Sequence, residues 1–448
     1  MKRISKAARK ALRKLLKGRL LEDESHRLAY AYDASGLTYL PEAVALPENT
    51  REVSRILALS YEEEFPVIPR GAGTATTGGP LAAEGGLVLA LSRMDRILEI
   101  NAQDLVAVVE PGVVNARLKE ALAVRGLFYP PDPASFRFST LGGNVATCAG
   151  GPRGLKYGVT RDYVLAVEAV LPGGEVVPLG TRTLKGVMGY DLTRLLVGSE
   201  GTLAVLTKIT LKVLPRPPAR RTLLAAFSSE ESALSGMQAV LERGCLPAAA
   251  EFLDQTALSA LAYPEREVRG LILFEFDGTE ASVAEEVSRA RKLLAPVALS
   301  LKEAGGREAE RLWDLRRGLS PALKRLGSRR TSDDIVLPRS RLGWFVSQAR
   351  ALAQKYRLRL ACFGHAGDGN LHVNILFEPE EEPQARALRE DLLRLVLELS
   401  GTLSGEHGVG LTRRSWLPAE VPPPALHLMR EIKRLFDPKG LLNPGKIF

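Results

Sequence analysis

Apolar positions along the chain alternate between helical and strand spacing. Residues 2–19 are basic, with Ile4, Ala8, Leu12, Leu15 and Leu16 on one helical face. They read as a packing helix, because a signal peptide needs a continuous apolar stretch. Residues 51–60 read as a second helix, and Phe65–Pro69 as a strand running into a glycine loop. An apolar strand follows at 104–110. Next comes a helix N-capped by Asn115, with Val114, Leu118 and Leu122 four apart and Gly126 as its stop. Residues 163–178 predict a hairpin around Leu171-Pro172-Gly173-Gly174. Leu203, Val205, Ile209, Leu211 and Val213 recur at period two, the mark of a half-buried strand.

The prolines of Leu214–Pro218 end that strand and mark a boundary. Beyond it, strands near 222–227 and 269–276 alternate with helices near 230–243 and 280–294, predicting a smaller antiparallel sheet covered by helices. Strands and helices mix without a regular βαβ repeat, so the fold class is α+β. The expected division is 1–214, 219–400 and a C-terminal segment 401–448 returning to the first part.

Composition narrows this little. A chain of 448 residues with 45% hydrophobic and 25% charged residues is an ordinary globular protein of two or three domains. No apolar run approaches the roughly 18–20 residues of a membrane-spanning helix. The formal charge of +9 comes from scattered cations, so an anionic small ligand is expected rather than nucleic acid. Cys148, Cys245 and Cys362 are odd in number and far apart, which predicts no disulfide framework and a reducing, cytoplasmic setting; the basic charge would suit the inner face of a membrane. Without a Cys-x-x-Cys pair, any iron–sulfur cluster belongs to a partner.

Three glycine-rich loops carry the first chemical signal. Arg70-Gly71-Ala72-Gly73-Thr74 follows the first strand, with Gly78-Gly79 four residues on. Glycines let successive N–H groups converge on an anion, and Arg70 adds charge. No Gly-x-Gly-x-x-Gly opens a helix here, which excludes the Rossmann fingerprint. One Gly-x-Gly alone reads as a turn. The second stretch runs from Pro130-Pro131-Asp132-Pro133 through Thr140–Thr147 to Gly150-Gly151, and its small residues suit backbone wrapped round a ligand. The third is Gly198-Ser199-Glu200-Gly201-Thr202.

In this order the loops resemble the FAD domain of the vanillyl-alcohol oxidase and p-cresol methylhydroxylase superfamily. The resemblance implies a two-part FAD-binding domain and a cap domain built on an antiparallel sheet. It implies that Pro69, Arg70, Gly71, Ala72, Gly73 and Thr74 hold the pyrophosphate. Pro133, Thr140, Gly142, Gly143, Asn144, Ala146, Thr147, Gly150 and Gly151 would run along the isoalloxazine and ribityl chain. Glu200, Gly201 and Val205, with Asn443, would complete the site. Covalent members place a histidine or cysteine near the flavin; Ala72, Gly73 and Thr74 stand there instead, so the FAD is expected to be non-covalent.

Three of the five histidines fall in two motifs, Gly364-His365-Ala366-Gly367-Asp368-Gly369-Asn370-Leu371-His372-Val373-Asn374 and Ser404-Gly405-Glu406-His407-Gly408-Val409-Gly410. His372 and Asn374 share a strand face, and His365 can approach across the Gly-Asp-Gly turn. With Glu406 they offer two imidazoles and a carboxylate, which suits a divalent metal with an open position. His26 and His427 have no such setting.

These motifs, with Phe436–Lys446, resemble the FAD subunit of glycolate oxidase, D-lactate dehydrogenase and D-2-hydroxyglutarate dehydrogenase. The resemblance implies that His365, His372 and Glu406 bind zinc, that Asn374 touches substrate and that His407 is the general base. It matches Arg316 of Trp313-Asp314-Leu315-Arg316-Arg317 to an Arg gripping the acid. The implied activity is oxidation of a small D-2-hydroxy acid, glycolate or D-lactate, by hydride transfer to flavin. An iron–sulfur subunit, an electron-transfer flavoprotein or a quinone would take the electrons. D-2-hydroxyglutarate dehydrogenases carry a Lys for the distal carboxylate where Ser332 stands here, which counts against a dicarboxylate, with Arg329 or Arg330 as substitutes. A non-catalytic flavin subunit is the other class, against which the complete His365, His372, Glu406 and His407 set argues. An alkyl-dihydroxyacetonephosphate synthase would share the fold without net oxidation.

Overall fold

The computed structural model describes residues 2–448. The chain forms two compact units, one of Met1–Ala149, Val159–Arg216 and Glu406–Phe448, the other of Gly150–Gly158 and Pro217–Gly405. Gly150 and Gly151 therefore lie in the second unit.

Two larger sheets build the first unit, beside a two-stranded pair of Leu127–Phe128 with Leu214–Pro215. The four-stranded sheet has the order Leu20–Leu21, Ala43–Ala45, Leu87–Ala90, Val67–Arg70, with the last three strands parallel. The five-stranded sheet is antiparallel in the order Ile97–Asn101, Val106–Val109, Val205–Lys212, Val164–Val170, Val176–Gly180. The basic N-terminal segment forms the helix Lys6–Leu16, capped by Ser5 Oγ. Its Ala8, Leu12 and Leu16 enter one core with Ile56 and Leu57 of the helix Thr50–Glu63, and Val170 and Val205 join that core from the second sheet.

Two expectations need correction here. Asn115 is the first residue inside the helix Asn115–Ala123, and its Nδ2 donates to Pro131 O; the N-cap position is Val114. The strand Val205–Lys212 is not half-buried but central and paired on both sides, so only Lys208 and Lys212 reach partial exposure. A register shift between Leu206 and Lys208 interrupts the period-two pattern.

The second unit holds a seven-stranded antiparallel sheet, larger than any sheet of the first unit and not the smaller one expected. Its order is Ser300–Ala304, Ala219–Phe227, Gly270–Gly278, Ala249–Asp254, Arg359–Gly364, Asn370–Phe377, Arg329–Val336. The helices Glu230–Glu242, Glu280–Leu294 and Leu342–Lys355 pack on it. Among the described residues no helix is long and apolar enough to cross a membrane.

Candidate active site

A cavity opens in the first unit where its loops meet, with about 1390 Å³ of space, part of it open to solvent. Loops far apart in the chain, at Pro69–Thr74, Gly142–Asn144 and Ser199–Gly201, share this one wall, which suits an extended cofactor. Glycine is required where the loops touch. A Cβ on Gly71 would lie 2.3 Å from Thr140 Oγ1, and one on Gly142 would lie 2.5 Å from the Pro111 ring. The cavity wall is therefore largely backbone and small side chains.

Charge and donors are placed sparingly in that wall. Arg70 is buried, its Nη2 donates to Tyr32 O at 2.8 Å, and its Nη1 has no hydrogen-bond partner. Burial lowers its pKa, and Asp33 opposes that shift. Asn144 Nδ2 is likewise buried without a partner. Unsatisfied buried donors are costly, so two of them beside a long cavity fit a ligand rich in phosphate and carbonyl oxygens. FAD has that chemistry, and the residues present fit it.

Of the residues expected to hold FAD, Pro69–Thr74, Pro133, Thr140, Gly142, Gly143, Asn144, Ala146, Thr147, Glu200, Gly201 and Val205 line the cavity. Asn443 is not among the lining residues. Its Nδ2 donates to Gly79 O at 3.1 Å and to Glu200 O at 2.7 Å, fastening two loops together. Glu406 and His407 also line the cavity, with Oε1 and Nε2 3.8 Å apart. Sequence reasoning missed Asp33, a buried carboxylate that accepts Gly78 N–H at 2.9 Å and shapes the first loop.

The second unit assembles a different kind of site, from side chains. Glu251, at the centre of Ala249–Asp254, is fully buried. It shares a hydrogen bond with His365 Nδ1 and accepts Arg316 Nε at 2.5 Å. Burial by itself would raise the Glu251 pKa, but the neighbouring His365 and Arg316 outweigh it and hold the carboxylate at about 2. The Arg316 guanidinium stacks 4.9 Å from the Phe363 ring. Among the described residues its only hydrogen bond is through Nε, so its two Nη groups remain as donors.

Register supplies the rest. On one strand pair Asp334 stands opposite His372 and Ser332 opposite Asn374. Asp334 Oδ1 lies 3.7 Å from His372 Nδ1, and the His365 and His372 rings are 5.5 Å apart. His365 thus has a carboxylate hydrogen-bonded at Nδ1, the arrangement that orients a metal-binding histidine through its other nitrogen. Asn374 is buried, its Nδ2 donating to His372 O at 3.1 Å. Glu251 and Asp334 carry no motif of their own. Only their strands' pairing would have revealed them.

Known proteins resemble the chain over nearly its whole length. Residues 216–447 match the FAD linked oxidases, C-terminal domain, and residues 41–180 match an FAD binding domain. The glycolate oxidase subunit GlcD of Bacillus subtilis is 39% identical over 440 residues, covering 95% of this chain and 93% of that protein. A D-lactate dehydrogenase of Archaeoglobus fulgidus is 36% identical over 431 residues, covering 94% and 95%. In fold, the chain is similar to p-cresol methylhydroxylase with substrate bound, at a TM-score of 0.82 and 17% identity, with 99% and 97% coverage.

Proposed function

The chain belongs to the FAD-linked oxidases, oxidoreductases acting on CH–OH groups, and from that premise we propose that it oxidises a small D-2-hydroxy acid, glycolate or D-lactate, to the 2-oxo acid. The observation that carries the reading is Arg316, a half-buried guanidinium held through Nε by the fully buried Glu251, with its Nη groups left to grip a carboxylate. FAD, when bound in the first unit, supplies the hydride acceptor that no side chain can provide.

Each residue then has a role. Arg70 and Asn144 offer their unpartnered donors to the cofactor. Asn374 orients the substrate. His407, on the cavity wall, takes the hydroxyl proton in its neutral form. His365 and His372, which the sequence pairs with Glu406, would hold a divalent metal, zinc, which would supply Lewis acidity to the substrate hydroxyl. Glu251 fixes the His365 ring from behind, and Asp334 adds negative charge beside His372. An iron–sulfur subunit, an electron-transfer flavoprotein or a quinone receives the electrons. A monocarboxylate is favoured because Ser332, opposite Asn374, stands where the resemblance puts a Lys for a distal carboxylate.

The test is a panel of D- and L-2-hydroxy acids against an artificial acceptor, read as kcat/KM before and after chelation. Glycolate and D-lactate should lead, chelated enzyme should be slow, and zinc should restore it. His407→Ala should lose about 10²–10⁴-fold in kcat with FAD retained. Preference for D-2-hydroxyglutarate, or unchanged turnover in His407→Ala, would overturn the corresponding part.

A further inference from the structure

The turn that carries His407 is held by one buried carboxylate. Glu200 occupies the left-handed region at φ +53° in the third loop. Its N–H donates to Ala146 O at 2.8 Å, and its carbonyl accepts Asn443 Nδ2 at 2.7 Å, so its backbone is tied on both sides. Its Oε1 accepts Val409 N–H at 2.7 Å and its Oε2 accepts Gly410 N–H at 2.8 Å.

The turn is shaped to fit this clamp. Gly408 has φ +80°, and a Cβ there would lie 2.8 Å from Glu200 Oε1. Thr77 seals the other side, with its carbonyl accepting Leu411 N–H at 2.7 Å and its Oγ1 donating to His407 O at 3.3 Å. Glu200, Thr77 and His407 line the same cavity. Burial raises the Glu200 pKa, while the two amides, Lys446 and Arg413 pull it back. A buried carboxylate with both oxygens spent on consecutive amides fixes a peptide plane more tightly than a neutral acceptor could.

We propose that Glu200 is a positioning residue whose two-oxygen clamp on Val409 and Gly410 sets the peptide that aims His407 into the flavin cavity. This rests on His407 acting as the base. Glu200→Gln presents one acceptor where two N–H groups converge, so one bond is lost. In FAD-loaded enzyme it should keep full flavin absorbance and lose about 10–100-fold in kcat, with KM nearly unchanged. Deuterium uptake in a peptide spanning 406–411 should accelerate, while one spanning 67–74 keeps its protection.

Wild-type kcat and unchanged exchange at full flavin occupancy would overturn the clamp. So would a loss of kcat that added FAD fully restores. Should Glu200→Gln fail to fold, Gly408→Ala strains the same contact from the turn side and should give the same kcat loss and the same exchange change; wild-type values there overturn the proposal. The exchange readout stands apart from turnover. Full activity in His407→Ala removes the base, whereas full activity in Glu200→Gln with an inactive His407→Ala removes only the clamp.

Discussion

The cavity of the first unit and the polar cluster of the second do comparable work with opposite materials. The cavity is walled by backbone and small side chains, with Arg70 as its buried cation. The cluster around Glu251 is made of charged and imidazole side chains carried on three strands, the turn after a fourth, and a helix. A backbone wall tolerates side-chain change but not added volume. A side-chain cluster tolerates modest volume change but not loss of a charge.

The largest expected effect comes from the cluster. Glu251→Gln takes the counter-charge from the half-buried Arg316, and breaking a pair whose carboxylate is fully buried costs about 3–5 kcal/mol. Thermal denaturation should show a drop of about 5–10 °C, and kcat/KM should fall along with it. Unchanged values in both would mean that the cluster is not electrostatically held.

Next is the cavity. Gly142→Ala drives a Cβ against the Pro111 ring and costs about 1–3 kcal/mol of overpacking. Titration of apo-protein should show FAD affinity weakened by about 5–100-fold. If affinity holds while stability falls, the loop contact is structural and the comparison loses its first half.

The smallest effect serves as a control on charge in the first unit. Arg19 makes two hydrogen bonds to Glu52, at 2.6 and 2.7 Å, and neither residue lines the cavity. Bonding to Arg19 lowers the Glu52 pKa against the penalty of burial. A depressed carboxylate stabilises the fold above its unfolded pKa, near 4.5, and loses that contribution as pH falls through the folded value. Arg19→Met should therefore cost about 1 kcal/mol at pH 7 and progressively less in acid, with FAD affinity unchanged.

The same contrast explains what the sequence revealed. The glycine loops are local, so Arg70–Thr74 and Thr140–Thr147 can be recognised within a few residues, and the structure brings them to one cavity. Glu251 and Asp334 lie in strands that contain no telling spacing, and they become meaningful only through pairings such as Asp334 with His372. The size of the second sheet escaped for a similar reason. Ala249–Asp254 is short and buried throughout, without the alternation that marks an exposed face. Asn443 is expected in the cofactor region, but its use as a tie between loops depends on contacts across more than 240 residues.

The discontinuity of the first unit has a consequence for biosynthesis. Arg70 and the glycine loops leave the ribosome early, whereas Glu406, His407 and Asn443 emerge only after the whole of Pro217–Gly405. Domains generally fold as they are made, yet this cradle cannot close on that schedule. A nascent chain must carry it unfinished while the seven-stranded sheet is translated, so stable capture of the flavin belongs to the end of synthesis.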